Sequence, residues 1–287
     1  MPKYFISGLV IEMLAPHWTL HSNLKIFQSN DINIDISCRV VFEKPTMLPN
    51  GKKKYIVKTG VTSVYETEDL YYVYDGHEDD IPSVIVASHD WSGCTMYVDP
   101  KLNKPNEKET VETVQICIFA ALRKVMISAL VQRKGFLIHS STIIWNGKGI
   151  VFSAPSGTGK TTHTNLWKQM YHVRILDGDV TACRIIDEVP RVYGLPWCGT
   201  SGEFLNESVP LGAIVFLQQD KVNRIEKLNI KEAFIRLTAR CYLQPWGDEM
   251  TNRHLDNIQE VIDKTSCYLL NCLPDQDAVE LVRKCLE

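Results

Sequence analysis

The feature that most constrains this chain is the glycine-rich segment at 154–161, Ala-Pro-Ser-Gly-Thr-Gly-Lys-Thr. It fits the pattern of a glycine or alanine, four residues and then Gly-Lys-Thr, which forms a phosphate-binding loop. An apolar segment at 150–152 precedes it, and a segment suited to a helix follows at 161–170. A strand, this loop and a helix in succession predict an α/β core around the motif.

Each position of the loop has a chemical reason. Gly157 and Gly159 let the backbone curl so that several N–H groups point at one phosphate. Lys160 supplies positive charge to the outer phosphates, and the hydroxyl of Thr161 can bind magnesium. We therefore expect ATP, or another nucleoside phosphate, to bind with Mg²⁺. The residues expected to hold it are Ser156, Gly157, Thr158, Gly159, Lys160, Thr161 and Thr162.

Two carboxylates, Asp177 and Asp179, follow the apolar segment at 173–176. Nucleotide enzymes use a carboxylate in this position to hold their metal, although Asp and Gly also form ordinary solvated turns. We predict that Asp179 binds magnesium and that Asp177 acts as the base. His139 ends a strand ahead of the loop, and a lone histidine there is more typical of a hydrogen-bonded structural side chain.

The first hundred residues contain β-rich segments separated by turn residues and no helical period, which predicts an antiparallel sheet or small barrel. The segments are Tyr4–Leu14, Ile32–Phe42, Lys54–Lys58, Leu70–Tyr74 and Val84–Ser88. A break at Lys101–Asn106 precedes a helical period through 114–129. We predict an α+β chain with a β-rich domain at 1–105 and a phosphate-loop core at 106–287.

Within the second half, Asn146-Gly147 predicts a hairpin between strands at 136–145 and 149–153. Further extended segments are predicted at 173–176 and 213–217. Helices are predicted at 230–241, 249–262 and 276–286, the last capped after Pro274-Asp275.

Composition excludes several classes of partner. The net charge of −3 and the absence of a basic stripe argue against nucleic acid, since Lys52–Lys54 beside Asn50-Gly51 suits a hairpin end. No segment resembles a signal peptide or, by our interpretation, a membrane span. Nine cysteines, an odd number without C-x-x-C spacing, favour free thiols and a cytoplasmic location.

Several motifs together resemble the HPr kinase/phosphorylase family: His139-Ser140, Asn146-Gly147, the segment 156–161 and the carboxylates at 177–179. That family shares its nucleotide-binding core with phosphoenolpyruvate carboxykinase. The segment 152–164 is most similar to the HPr-kinase-like enzymes of lasso-peptide biosynthesis, which phosphorylate a precursor peptide. The resemblance covers about residues 136–220 and implies a P-loop kinase core of this type after the β-rich N-terminal domain, about which the resemblance says little.

The resemblance also implies roles for particular residues. It makes His139 an active-site residue, and it matches Asp179 to the second of two adjacent aspartates. The first aspartate, which that family uses as base and acid, falls on Gly178 here. Either Asp177 takes this role from one position away, with His139 as its neighbour or its replacement, or deprotonation works differently. Arg184 has the spacing of a phosphate clamp in the lasso-associated relatives, with a surface strand arginine as the alternative.

These observations lead to a hypothesis of an ATP- and magnesium-dependent kinase that transfers the γ-phosphoryl group to a hydroxyl. The acceptor is expected to be a serine of a peptide or protein, such as a lasso precursor or an HPr-like protein. A small-molecule hydroxyl is the alternative. Carboxykinase chemistry and a non-catalytic nucleotide sensor are the other classes considered. The glycine-rich loop at 194–202 could close over a substrate or be a surface connection. Whether the chain forms a homo-oligomer is left open.

Overall fold

The computed structural model describes residues 1–44, 54–56, 62–77, 80–244 and 247–287. The chain divides into two compact units, 1–132 with 243–251 and 133–242 with 252–287. Each unit contains a mixed eight-stranded sheet, so the chain is of mixed α and β class. The division falls at 132/133, where the sequence predicted 105/106, because the helix α1 (Lys108–Gln132) groups with the first unit.

The sheet of the first unit has the strand order β1-β2-β3-β8-β7-β6-β5-β4. Its strands are β1 (Lys3–Ile6), β2 (Leu9–Leu14), β3 (Ile36–Val41), β4 (Lys54–Ile56), β5 (Thr62–Glu66), β6 (Leu70–His77), β7 (Asp80–Ser88) and β8 (Gly93–Val98). The prediction of an antiparallel sheet is wrong at its centre, since β3 is parallel to both β2 and β8. Long crossovers join these pairs, and strand periodicity alone does not reveal direction. The predicted turn at Asn50-Gly51 lies outside the described residues.

The helix α1 corrects a second expectation. By length and composition it is apolar enough to cross a membrane, and among the described residues it alone meets that test. Of its most apolar stretch, 61% is buried inside the folded chain, as for the core helix of a globular domain. Its apolar residues therefore occupy more than one face because they are packed against protein.

All nine cysteines lie in the described ranges, and none is in a disulfide. Cys38 and Cys94 face each other on β3 and β8, with their Sγ atoms 3.2 Å apart. The hydrogen bond with Cys94, and next burial, raise the pKa of the Cys38 thiol well above its usual range. The reducing compartment stays a prediction.

The sheet of the second unit has the order β10-β9-β12-β13-β14-β16-β15, and β11 also pairs with β9. Its strands are β9 (Gly135–Trp145), β10 (Lys148–Ser153), β11 (Arg174–Asp177), β12 (Val180–Ile186), β13 (Val189–Tyr193), β14 (Ser208–Gln219), β15 (Arg224–Lys227) and β16 (Ser266–Cys272). The remaining helices are α2 (Lys160–Tyr171), α3 (Ile230–Thr238), α4 (Asp248–Asp263) and α5 (Gln276–Leu286).

The hairpin that leads into the phosphate loop is confirmed. Asn146 and Gly147 both adopt positive φ, 48° and 74°, as a tight two-residue turn between twisted strands requires. Beyond the turn, β10 pairs antiparallel with β9 and parallel with β14. Its alternate residues pack into two hydrophobic clusters, Val151 on one face of the sheet and Phe152 on the other. The strand before the loop is thus fixed on both edges and both faces.

Candidate phosphate-binding site

The loop at 154–159 connects β10 to α2 and is shaped by two glycines with positive φ, Gly157 at 77° and Gly159 at 108°. Gly159 occupies the N-cap position of α2, and no side chain caps this helix. The amides of the first turn are therefore left for a ligand, and the positive end of the helix favours an anion.

A cleft of about 400 Å³ opens over this loop. We call it the phosphate cleft. It is lined by His139, Ser156, Gly157, Gly159, Lys160, Thr161, Thr162, Gly178, Asp179, Thr200 and Ser201. The structure thus brings together most of the residues predicted to bind nucleotide and metal. Thr158 lies outside this set, and its carbonyl accepts a hydrogen bond from Gln219.

Lys160 is the central cation of the cleft. It is buried, and its Nζ donates to the carbonyls of Ala154 at 3.0 Å and Pro155 at 3.4 Å. A third contact, of 2.9 Å, joins Nζ to Nε2 of His139. Burial lowers the pKa of Lys160, while the nearby charge of Asp179 opposes that shift. A cation held by neutral acceptors in a small cleft is well prepared to exchange them for phosphate oxygens.

His139 lies on β9, between the cation and the carboxylate. Because an ammonium group only donates, Nε2 must be the unprotonated nitrogen when it contacts Lys160. The proton then lies on Nδ1, which is 3.6 Å from Oδ1 of Asp179. Burial, and next the charge of Lys160, lower the pKa of His139 below its ordinary value. The imidazole is therefore neutral and oriented between the two charged groups.

Asp179 presents a partly exposed carboxylate to the cleft. Its position depends on Gly199, since a Cβ there would lie 2.6 Å from Cγ of Asp179. The described residues contain no group of three His, Cys, Asp or Glu able to hold a metal. Magnesium is usually held by one or two carboxylates together with phosphates and waters. The carboxylate of Asp179 and the hydroxyl of Thr161, which line the same cleft, fit that requirement.

Asp177 occupies a different environment from the one predicted. It is fully buried and does not line the phosphate cleft. Its Oδ1 accepts from the amides of Asp179 and Val180, both at 3.0 Å, and its Oδ2 accepts from that of Leu195 at 2.8 Å. Burial raises the pKa of Asp177 well above its ordinary value, and the three N–H donors oppose that shift. The expectation that it faces an acceptor is corrected, because β11 ends at Asp177 and the strand alternation stops there.

The packing around Gly178 leaves no room for the adjacent aspartate of the HPr kinase pattern. A Cβ at this position would lie 2.1 Å from Oγ of Ser201. That hydroxyl is held in place by the carbonyl of Cys198 at 2.6 Å. The turn at Gly199–Ser201 therefore fills the space that a side chain at 178 would need. Glycine at this position is thus required by the packing of that turn.

Arg184 is also placed away from the cleft. It lies on β12, where it pairs with Gly135, whereas Val180 of the same strand pairs with His139. Four residues along a strand separate the two positions by about 13 Å. Arg184 is buried, and its Nε donates to the carbonyl of Arg133 at 3.3 Å. The structure therefore places Arg184 outside the phosphate cleft, where the sequence predicted a phosphate clamp.

Sequence reasoning gave no role to Thr200, Ser201 or Arg240. The first two belong to the glycine-rich loop at 194–202, whose composition was the available signal. Arg240 follows α3 in an ordinary helical sequence and carries no local motif. Its carbonyl accepts from the amide of His139 at 2.9 Å, and its charge contributes to the lowered pKa of both His139 and Lys160. Only the folded chain brings it to the site.

Comparison with known proteins gives three findings. Residues 102–275, more than half of the 287, match the family model described as SynChlorMet cassette protein ScmC. The HPr(Ser) kinase/phosphatase from Coxiella burnetii matches at 9% identity with a TM-score of 0.28, over 52% of this chain and 91% of that one. A TM-score of this size supports no conclusion about fold or activity. No curated protein matches the chain. On the extent of the family match, this chain belongs to the family of the SynChlorMet cassette protein ScmC.

Proposed function

We propose that this protein is an ATP- and magnesium-dependent kinase that transfers the γ-phosphoryl group to a hydroxyl. The observation that carries the proposal is the convergence of Lys160, His139 and Asp179 on an uncapped glycine loop. Phosphoryl transfer needs a phosphate cradle, a cation, a metal-binding carboxylate and a group that orients the nucleophile. The phosphate cleft contains a candidate for each of them.

Within this proposal the loop amides and the positive end of α2 hold the phosphates. Lys160 exchanges the carbonyls of Ala154 and Pro155, and Nε2 of His139, for outer phosphate oxygens. That exchange frees Nε2 to accept the proton of an acceptor hydroxyl. Thr161 and Asp179 would hold magnesium, which when bound neutralises charge on the transferred phosphoryl group.

His139 is proposed as the base in place of Asp177. Its ring lies in the cleft and is neutral, whereas all the geometry of Asp177 points to backbone support. The acceptor is proposed to be a serine of a peptide or protein, with a small-molecule hydroxyl as the alternative. This choice, and a core of the HPr kinase and phosphoenolpyruvate carboxykinase type, rest on the resemblance of the segments at 139–140, 152–164 and 177–179.

Transfer of label from γ-labelled ATP tests the proposal, with serine peptides, an HPr-like protein and small alcohols as acceptors. His139→Asn should lower transfer at least about 100-fold with little change in nucleotide affinity, because a general base contributes about 10²–10⁴-fold. His172→Asn is the matched control, since His172 is exposed at the end of α2. Equal activity in wild type and His139→Asn would show that His139 is not the general base.

A non-catalytic nucleotide sensor is the second candidate, and the glycine at 178 favours it. The space for the missing aspartate is taken by Ser201, so a carboxylate base cannot occupy that position. Tight magnesium-dependent binding of ATP by the wild type, without transfer to any acceptor or to water, would select this candidate over the kinase.

A further inference from the structure

A second pocket, of about 430 Å³, adjoins the phosphate loop from the side of its first residues. We call it the arginine pocket. Its walls come from the loop at Pro155 and Thr158, from the end of β14 at Gln219, and from α3 and the residues after it at Arg236 and Arg240. The volume is that of a small-molecule site.

The two arginines give this pocket an unbalanced charge. No Asp or Glu is among the described residues that line it. Both arginine side chains are partly buried, and neither guanidinium has a hydrogen bond or an ion pair with the described residues. Guanidinium groups at partly buried sites normally pair with carboxylates or phosphates, often through two parallel hydrogen bonds. A pocket with two unpaired guanidiniums is therefore complementary to an anion.

The arginine pocket also lies at the reactive end of the loop. Nζ of Lys160 is bonded to the carbonyls of Ala154 and Pro155, and both residues line the pocket. In phosphate loops the side chain of this lysine reaches the outer phosphates, whereas the amides of the loop hold the inner ones. The γ-phosphoryl group would thus face this side. The backbone bond from His139 to Arg240 places the candidate base beside the same wall.

We propose that the arginine pocket binds an anionic group, a carboxylate or a phosphate, that the phosphoryl acceptor carries near its hydroxyl. Arg236 and Arg240 hold the anion, and the hydroxyl lies at the border with the phosphate cleft. In the transfer the bond from the γ-phosphorus to the bridging oxygen breaks, and a bond to the acceptor oxygen forms. The acceptor proton passes to Nε2 of His139, and ADP leaves. This inference rests on the proposed kinase function.

Two sources could supply such an acceptor, an acidic peptide or a small hydroxy acid, and paired probes separate them. The probes are a serine peptide flanked by glutamates, the same peptide with glutamines, glycerate and glycerol. With labelled ATP, the acidic member of the preferred pair should exceed its neutral partner at least about 10-fold in kcat/KM, as for a charge-assisted contact at a partly exposed site. Equal use of both members of each pair would overturn the proposal.

The variant Arg236→Gln/Arg240→Gln should remove that preference through a higher KM, while Arg224→Gln, a matched change at an exposed position on β15, should not. Calorimetric titration of the four probes into the protein saturated with Mg-ADP gives a readout without turnover. Binding of the acidic peptide or of glycerate should weaken about 10-fold in the double variant. Failure of both anions to bind the wild-type complex would contradict the proposal.

Nucleotide binding separates failure of this inference from failure of the kinase function. The double variant should bind ADP and ATP as the wild type does. Loss of ATP affinity with ADP affinity retained would assign the arginines to the γ-phosphate and overturn the acceptor role. If the wild type binds no nucleotide, the kinase proposal itself fails. If it binds nucleotide but no anion, only the arginine pocket is reassigned.

Discussion

Two turns of the second unit follow strands that both pair with β9, yet they use their polar groups in opposite ways. After β10, the amides of the phosphate loop and the start of α2 have no side-chain cap, and Lys160 is held only by neutral acceptors. After β11, the carboxylate of Asp177 accepts hydrogen bonds from three backbone amides. The polar groups of the first turn are available to a ligand, whereas the carboxylate of the second turn is hydrogen-bonded within the fold.

Residue type alone does not identify a functional carboxylate. Asp177 is 0% exposed, whereas the side chain of Asp179, two residues later, is 33% exposed and faces the cleft. A buried group whose partners are all backbone has a structural role by default. A charged group in a cleft, near other charged groups and short of partners, is the better candidate for chemistry.

The largest effect is expected at Lys160. Lys160→Ala should lower phosphoryl transfer about 1,000-fold, because it removes the cation of the cleft, and loss of one such group costs about 10²–10³-fold or more. Lys168→Ala, on the exposed face of the same helix, is the control. Transfer from labelled ATP is the measurement, with circular dichroism to verify the fold. Wild-type turnover in a folded Lys160→Ala protein would show that the turn after β10 is not the site of phosphoryl transfer.

Asp179 should come next. Asp179→Asn should lower turnover about 100-fold, since the amide is a poor ligand for magnesium that must bridge the outer phosphates. The dependence of nucleotide affinity on magnesium should flatten, as titration with a fluorescent ATP analogue at several magnesium concentrations would show. Asp187→Asn, at an exposed residue with positive φ, controls for the loss of one charge. An unchanged magnesium dependence would refute the assignment of the metal to Asp179.

Asp177 tests the other turn. Asp177→Asn replaces one acceptor oxygen by an NH₂ group that faces backbone donors, so the free energy of unfolding should fall by about 2 kcal/mol. Urea unfolding measures this loss, and activity per folded molecule should stay within a few-fold of wild type. A stable but inactive Asp177→Asn protein would return the base to Asp177 and erase the contrast between the two turns.

Sequence reasoning found what local signals encode. The hairpin at Asn146-Gly147, the loop at 154–161 and the helix at 276–286 each have their turn or cap residues within a few positions, and each forms as predicted. The parallel pairing of β3 with β2 and with β8 was missed because the paired strands are far apart in the chain. The buried position of Asp177 was missed for the same reason, since Leu195 supplies one of its donors. Long-range pairing leaves no periodic mark on a single segment.

The smallest effect is expected at His254. Its ring nitrogens have no hydrogen-bond partner among the described residues, and it lines neither pocket. It is buried on α4 against the ring of Phe136. Burial lowers its pKa to about 4, below the ordinary value of 6.5, so the unfolded chain binds the proton more tightly. Its contribution to stability is therefore complete above pH 6.5 and is lost as the pH falls towards 4. At pH 5.5 the loss should be about 1 kcal/mol.

His254→Leu should flatten this part of the stability profile, measured by urea unfolding between pH 7 and 5, and leave nucleotide binding unchanged. An unchanged slope would show that the ring finds a partner such as water, and loss of nucleotide binding would show that an unsatisfied polar group marks function here as well.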